Sequence, residues 1–159
     1  MKKIIIPILV FLFLVGCTVT SATPISAVED MLKKYQSKDD IVMEQLDLVI
    51  DSEDMFNDEV KSEYKKAIVR QYTDLTYDIK DDEINGDNAV VTVEIEVYDY
   101  SLVDVIVDDG EYSLNQVKAM QDTKERIKYT LEISVTKNGD EWKVNNLTDI
   151  DRKKIHGLY

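Results

Sequence analysis

The chain of 159 residues has little cysteine, proline, glycine and histidine, and each scarcity argues against a class of structure or function. A single cysteine, Cys17, allows no disulfide within the chain. Two prolines and five glycines leave no low-complexity tract or glycine-rich phosphate loop. The only histidine, His156, leaves little from which a Ser–His–Asp set can be assembled. The composition therefore predicts no catalytic residues.

Basic side chains are also scarce. The chain has 19 Lys and Arg against 32 Asp and Glu, a net charge of −13. Lys2 and Lys3 lie in a segment that we expect to be removed, which leaves 17 basic residues against 32 acidic ones and a net charge of −15. Such a charge repels phosphate backbones and anionic headgroups. We therefore expect no nucleic-acid partner. Attachment of the protein to a membrane would have to depend on something other than electrostatics.

One long apolar run occurs, near the N-terminus. Lys2 and Lys3 precede IIIPILVFLFLV, residues 4–15, which has the length of a signal-peptide core and is too short to span a bilayer comfortably. The run ends in a motif that resembles the bacterial lipobox, made of Leu14, Val15, Gly16 and Cys17. The alternative interpretation is an ordinary signal peptide or membrane anchor with an incidental cysteine.

The lipobox resemblance implies how the protein is processed and where it is located. Residues 1–16 would be cleaved as a signal peptide, and the Cys17 thiol would be diacylglycerylated and become the new N-terminus. Residues 17–23 would form the lipidated cysteine and a short polar tether, and residues 24–159 the folded domain. We therefore expect a lipid-anchored protein on the extracytoplasmic face of the cell membrane. With Cys17 acylated, no thiol would remain for a metal or a nucleophile.

The folded part is predicted to begin with helices. Thr23 and Pro24 are typical of an N-cap and a first helical position, and Ser26 with Glu29 offers a capping box one step later. The apolar face of this helix has three- and four-residue spacing. Its members are Ile25, Val28, Met31, Leu32 and Tyr35.

Two more helical segments follow. Asp39 or Asp40 begins the second, with its apolar side marked by Ile41, Val42, Gln45, Leu46 and Val49. The third is predicted from Asn57 to about Asp74. Its buried face is predicted to contain Val60, Tyr64, Ala67, Ile68, Gln71, Tyr72 and Leu75.

After residue 75 the apolar period changes to two, which predicts strands. The alternating apolar positions are Tyr77, Ile79, Ala89, Val91, Val93, Ile95, Val97, Ile127, Tyr129, Leu131, Ile133 and Val135. Turns are predicted at residues 85–88 and at Asn138-Gly139, with a return strand from Glu141 to Leu147. One apolar face and one charged face predict an antiparallel sheet that the helices cover on one side.

The stretch from Asp99 to Lys124 fits more than one pattern. Residues 102–107 suit a strand or a helix, whereas Ser113 to Lys124 favours a helix with Leu114, Val117 and Met120 in step. Thr148 or Asp149 is predicted to cap a short final helix that stops at Gly157. Helices followed by long antiparallel strands predict an α+β fold.

Three segments of the sequence carry a family resemblance. Tyr77 to Asp99, the Glu141-Trp142-Lys143-Val144 strand and the closing Lys154-Ile155-His156-Gly157 are similar to small bacterial lipoproteins of the NTF2-like (cystatin-like) superfamily, of the DUF4878 and DUF5105 kind. The resemblance spans most of residues 24–159. It implies N-terminal helices packed on a curved antiparallel sheet, and it implies no particular activity, because a fold alone does not fix function.

Acidic clusters raise the question of a metal site. Asp81 to Gly86 places acidic or amide groups at alternate positions before a glycine, as in a calcium loop, but the twelfth position is Thr92 where an EF-hand needs Glu. A polar hairpin turn explains the same residues. A second cluster lacks ligand spacing and suits a solvated loop; its members are Asp104, Asp108, Asp109 and Glu111. No metal and no cofactor are expected.

Aromatic residues offer one candidate pocket between the helices and the sheet. Its possible lining is Tyr64, Tyr72, Tyr77, Tyr129 and Trp142. Ordinary core packing is the alternative role for these side chains. His156, in a short terminal helix, is predicted to be structural, since a histidine there can interact with the last carbonyls and the helix dipole.

Three functional classes follow from these observations. The leading expectation is a non-enzymatic envelope protein that binds a small ligand or a partner protein. The alternatives are a structural or accessory interaction domain without a pocket, and an enzyme that uses a cavity carboxylate of shifted pKa. The outer sheet face is too polar for an obligate interface; its residues are Thr92, Glu94, Glu96, Tyr98, Lys128, Thr130, Glu132, Ser134 and Thr136.

Overall fold

Helices precede a sheet along the chain, as the change of apolar period predicts. The computed structural model describes residues 21–53, 56–103, 107–108, 111–112 and 114–159. The helices are α1 (Pro24–Ser37), α2 (Asp40–Asp51), α3 (Asp58–Asp74), α4 (Leu114–Asp122) and α5 (Asp149–Ile155). The strands are β1 (Thr76–Asn85), β2 (Asn88–Tyr98), β3 (Val107–Asp108), β4 (Glu111–Tyr112), β5 (Arg126–Asn138) and β6 (Glu141–Val144). The predicted α+β class is confirmed.

The first helix begins where the sequence predicts, but with a different cap. The Thr23 side chain accepts from the Ser26 amide, and the Ser26 side chain accepts from the Thr23 amide, so the capping box joins Thr23 to Ser26. The predicted box of Ser26 with Glu29 is therefore wrong. Glu29 instead forms an ion pair with Lys33, one turn further on. The reason is that Thr23, in extended backbone, is the true N-cap and Ser26 stands three residues after it.

The buried side of α2 differs from the predicted one. Asp39 caps the helix, and Val42, Leu46 and Ile50 are buried at four-residue spacing. Ile41 and Val49 are 40% and 54% exposed, so their predicted place on the buried side is wrong. A helix of this length buries the stripe that faces its neighbour, and the remaining apolar residues stay in solvent.

The third helix agrees with the prediction. Asn57 is the N-cap of α3, and its side chain accepts from the Val60 amide. The predicted face is buried at Val60, Ala67, Ile68, Gln71 and Tyr72.

Four antiparallel strands form the main sheet in the order β1-β2-β5-β6. The turns between paired strands are Gly86–Asp87 and Gly139–Asp140, in which each glycine has a positive φ. The second turn lies one residue later than predicted, because Asn138 pairs with Glu141 and glycine takes the first turn position, as type II′ turns require. We call this end of the sheet, with both turns, the hairpin end.

Two strands differ from what the sequence pattern predicts: β1 contains a bulge, and β6 is shorter than predicted. In β1, Ile79 lies opposite Val93 and Asp81 opposite Thr92, so Lys80 is an extra residue at a bulge. A bulge and charged side chains make β1 a poor template for further strands. The strand β6 stops at Val144 rather than at Leu147 as predicted.

The core lies between the inner face of the sheet and the helices. The predicted inner positions of β2 are fully buried at Val91, Val93, Ile95 and Val97, and β5 adds Leu131, Ile133 and Val135. The helices contribute Val28, Leu32, Ala67 and Ile68. Each large side chain buried this way contributes about 1.5–3 kcal/mol. The predicted outer row of β2 and β5 is exposed or half-exposed, as a sheet covered on one side requires.

The stretch between β2 and β5 contains several short elements. Tyr100–Leu102 forms a 3-10 turn, and β3 and β4 form a two-stranded ladder. The predicted helix from Ser113 to Lys124 is α4, with Val117 and Met120 buried. In the predicted acidic loop, Asp108 and Glu111 pair across the ladder, whereas Asp104 and Asp109 lie outside the described residues.

Candidate functional site

A cavity of about 330 Å³ lies between α2, α3, α4 and the C-terminal segment. Its lining is mostly apolar and consists of Val49, Ile50, Glu53, Phe56, Tyr64, Val117, Met120 and Leu158. Glu53, which is exposed, carries the formal charge among the described lining residues. Phe56 and Tyr64 lie with ring centres 5.3 Å apart and fill one wall. The arrangement suits a small apolar molecule better than a charged one.

The cavity exists because α2 and α4 contact α3 at its two sides. Ile50 ends the buried stripe of α2 and the half-exposed Val49 lies beside it, whereas Val117 and Met120 lie on the inner side of α4. An ion pair joins Lys65 of α3 to Asp47 of α2. Among the described residues, none that lines the cavity belongs to the sheet, so the cavity is not the predicted space between sheet and helices.

Arg70 of α3 fixes the end of α4 beside the cavity. Its guanidinium donates to the carbonyls of Met120 at 3.3 Å, Gln121 at 2.8 Å and Thr123 at 2.8 Å. These carbonyls belong to the last turn of a helix, which leaves its acceptors without intrahelical partners and carries partial negative charge. The guanidinium carbon also lies 3.6 Å from the centre of the Tyr98 ring. Arg70 thereby joins α3, α4 and β2 at one point.

Gln71, the neighbour of Arg70, contacts the end of β2 from the core side of the sheet. Its amide nitrogen donates to the Tyr98 carbonyl at 2.9 Å, and its amide oxygen accepts from the Tyr98 amide at 2.7 Å. Gln71 is completely buried. Gly157 has a φ of 71°, and an added Cβ there would overlap the Tyr98 carbonyl oxygen and the Gln71 amide nitrogen. The Gly157 carbonyl accepts from the Tyr100 amide at 2.9 Å. We call this end of the sheet the cavity end.

The five predicted pocket aromatics do not gather around one space. Tyr64 lines the cavity, and Tyr72 is buried with its hydroxyl oxygen 2.8 Å from His156 Nε2. Tyr77 is half-buried on β1, opposite Ile95.

The other two aromatics lie farther along β5 and β6. Tyr129 donates to the Tyr159 carbonyl at 2.7 Å. Trp142 is 7% exposed on β6, and its amide donates to the Ser21 carbonyl at 2.9 Å. Tyr64 is therefore the predicted lining residue that coincides with the cavity found here.

His156 forms a buried neutral contact with Tyr72. Burial, and to a smaller extent the positive charge of Arg152, lower the pKa of His156 to about 4. Burial also raises the pKa of Tyr72 well above its usual range. Since the lowered pKa leaves His156 uncharged near neutral pH, its contact with Tyr72 takes the place of the predicted interaction with the last carbonyls and the helix dipole.

The acidic loop that resembles a calcium site is a strand and a turn. Residues 81–85 belong to β1, and Gly86 begins the turn to β2. Among the described residues, no three His, Cys, Asp or Glu side chains lie close enough together to hold a metal ion. The hairpin interpretation of this segment is confirmed.

Ser21 attaches the N-terminal segment to the edge of the sheet. It forms an isolated bridge with Trp142, and its hydroxyl donates to Asp30 of α1 at 2.9 Å. Ser21 is only 3% exposed, although it lies within the range 17–23 assigned to the tether. Leu14, Val15, Gly16 and Cys17 lie outside the described residues. Over the part of the chain that is described, no helix has the length and apolarity to span a bilayer.

Of the eight described residues that line the cavity, the predicted lining includes Tyr64 and lacks the other seven. Val117 and Met120 lie three residues apart on the apolar face of the predicted α4. This spacing marks them as inward-facing but does not identify the surface that they contact. Val49 is on the predicted apolar side of α2, but nothing in the sequence indicates that it faces a cavity, and Leu158 carries no periodic signal because it follows the last helix. Comparisons with protein-family models, with curated proteins and with solved structures found no match to this chain. The resemblance to NTF2-like lipoproteins therefore stays a prediction from the sequence.

Proposed function

We propose that this chain is a lipid-anchored protein of the extracytoplasmic membrane face that binds a small apolar ligand without transforming it. The fold would be of the NTF2-like kind, and the lipid on Cys17 would supply the membrane attachment. The ligand would occupy the cavity between α2, α3 and α4.

The observation that carries the binding proposal is the cavity itself. Its volume of about 330 Å³ falls at the lower end of the range of about 300–1,000 Å³ found for ligand pockets. Six of its lining side chains are Val, Ile, Phe, Met or Leu. Benzene and xenon bind apolar cavities in other proteins and are therefore suitable probes of this space.

The binding test compares two neighbouring tryptophan substitutions on α2. Val49 and Leu48 are 54% and 50% exposed, but only Val49 lines the cavity. Both variants are made in residues 18–159, and benzene or xenon binding is followed by NMR chemical-shift changes. We expect Val49→Trp to abolish the shifts of cavity residues and Leu48→Trp to leave them unchanged.

The same experiment can contradict the proposal. If benzene and xenon shift no cavity residue of the unsubstituted chain, the cavity is closed in solution and the ligand-binding function is wrong. If both tryptophan variants lose binding to the same degree, the probe occupies the outer surface of α2 instead.

The lipid anchor has its own test. Replacing Cys17 by Ser removes the thiol that the lipobox resemblance marks for acylation. We expect the unsubstituted protein to sediment with membranes and to show the mass of a diacylglyceryl group, and Cys17→Ser to lose that mass. An unsubstituted chain without lipid mass would contradict the anchor.

A second candidate function is docking of a partner protein on α2. Ile41, Leu48 and Val49 are 40%, 50% and 54% exposed. Spacings of seven and eight residues place these three side chains on one helix face. Leu48→Asp would weaken such a contact while leaving benzene binding intact, so crosslinking at the membrane distinguishes the two functions.

A further inference from the structure

The cavity has a buried interior and an exposed mouth. Ile50, Val117 and Met120 are at most 3% exposed and mark the interior. Val49 is 54% exposed and Glu53 is also exposed, so these two residues mark the mouth. A ligand that fills the cavity therefore places its apolar part against buried side chains and leaves one end beside water and the Glu53 carboxylate.

The Glu53 carboxylate has no ion-pair partner among the residues that the structure describes. The helix α2 contains no basic residue. Each basic side chain of α3 and α4 already contacts a carboxylate or a backbone carbonyl elsewhere; these side chains are Lys61, Lys65, Lys66, Arg70 and Lys118. A ligand can therefore supply the charge opposite to that of Glu53.

The sequence around the mouth has charge of one sign. From residue 39 to residue 60 the chain has nine acidic residues and no basic one. The positive charge of Arg70 faces the carbonyls of Gln121 and Thr123 at the end of α4, and Arg70 does not line the cavity. Because a concentration of negative charge attracts cations and repels anions, a ligand with a carboxylate at the mouth is disfavoured.

Two aromatic rings add a second attraction for a cation. Phe56 and Tyr64 both line the cavity, with ring centres 5.3 Å apart. The face of an aromatic ring attracts an ammonium group, since the ring quadrupole is negative there. The same faces do not attract a carboxylate. The rings and the Glu53 carboxylate therefore favour the same sign of ligand charge.

We propose that the cavity selects amphiphilic amines, whose apolar part fills the interior and whose ammonium group stays at the mouth beside Glu53. This selectivity rests on the proposed ligand-binding function and deepens it, because it names the chemical class of the ligand. Neutral molecules such as benzene fill the same interior but make no ion pair with Glu53. Apolar carboxylates are the class that the mouth repels.

The test compares hexylammonium, hexanol and hexanoate, which share one apolar chain, at pH 7 and low salt. They are added to residues 18–159, which contain every helix and strand described above, and binding is followed by NMR shifts of the cavity residues. Differences in Kd then report on the head group. We expect hexylammonium to bind about fivefold more tightly than hexanol, and hexanoate to bind more weakly than hexanol.

Two glutamate variants assign this preference to the mouth. Glu53→Gln removes the charge and keeps the size of the side chain. Glu44→Gln is the matched control, because Glu44 is exposed, lies about two helical turns before the end of α2 and does not line the cavity. We expect the preference for hexylammonium over hexanol to fall to about twofold or less in Glu53→Gln and to stay near fivefold in Glu44→Gln.

Equal binding of hexylammonium and hexanol, or tighter binding of hexanoate, would overturn the selectivity. Equal losses of preference in the two variants would also overturn it, because the charge of the whole chain would then explain the result. In each of these cases, benzene binding that Val49→Trp abolishes would leave the proposed function intact. If benzene and all three hexyl probes shift no cavity residue, the selectivity and the proposed function are both wrong.

Discussion

The hairpin end and the cavity end of the sheet are stabilised by different kinds of contact. At the hairpin end, two-residue turns connect adjacent strands, and Gly86 and Gly139 supply the positive φ that these turns need. At the cavity end, the Gln71 side chain pairs with the Tyr98 backbone across 27 residues, and Tyr72 meets His156 across 84. The hairpin end is stabilised by residues that are close in sequence. The cavity end is stabilised by residues that only the fold brings together.

The difference shows where tight packing is required. An added Cβ at Gly86 or Gly139 would meet no atom within 4 Å, whereas at Gly157 it would overlap the Gln71–Tyr98 contact. At the hairpin end a substitution therefore meets only the strain of a positive φ, whereas at Gly157 it meets that strain and a steric overlap as well. This close packing lies beside the proposed ligand cavity, because Leu158 lines the cavity and follows Gly157.

The largest expected effect is that of Gly157→Ala. Alanine at this positive φ costs about 1–2 kcal/mol, and overlap with the Tyr98 carbonyl and Gln71 adds about 1–3 kcal/mol. Gly139→Ala is the matched control, because its φ is similar and its surroundings are open. Urea unfolding should give a loss of about 4 kcal/mol for Gly157→Ala and about 1 kcal/mol for the control. Equal losses would show that the two ends are packed alike.

A smaller loss is expected for Gln71→Leu. The substitution leaves both the amide and the carbonyl of Tyr98 without their side-chain partner in a partly buried place, which costs about 3 kcal/mol for the two groups. Gln36→Leu is the comparison, since the Gln36 amide makes one partly buried hydrogen bond to the Leu75 carbonyl and should lose about 1 kcal/mol. Denaturant unfolding of both variants measures the difference, and similar values would mean that water replaces Gln71.

The smallest effect concerns pH at the cavity end. His156 has a folded-state pKa of about 4 against an ordinary value of 6.5, so the unfolded chain takes up its proton first as the pH falls. The stability contributed by His156 is therefore complete above pH 6.5 and is lost as the pH falls towards 4. At pH 5 the loss amounts to about 2 kcal/mol.

His156→Gln isolates this contribution from the many carboxylates that titrate in the same range. The difference in unfolding free energy between the unsubstituted chain and His156→Gln should shrink as the pH falls from 7 to 5. Tyr72→Phe is the control, because it removes the hydrogen bond but keeps the histidine. A difference that does not change with pH would mean that His156 titrates normally.

Local sequence signals predicted most of the elements but not the site. The buried rows of β2 and β5 follow from alternation, and the bounds of α3 follow from the Asn57 cap and the apolar spacing. The prediction for α2 placed Ile41 and Val49 inside, although both are exposed. An apolar residue on a helix with several apolar residues does not reveal which stripe will face a neighbour.

The sequence by itself determined the α+β order, the alternation of the sheet, the turn glycines and the acidic charge, because each depends on neighbouring residues or on a sum over the chain. The tertiary structure decided which helix faces pack, where the cavity lies, and why Gln71 and Gly157 fit only as they are. It also placed Ser21 and the cavity at opposite ends of one sheet. These features join residues far apart in sequence, and no local periodicity records which distant surfaces will meet.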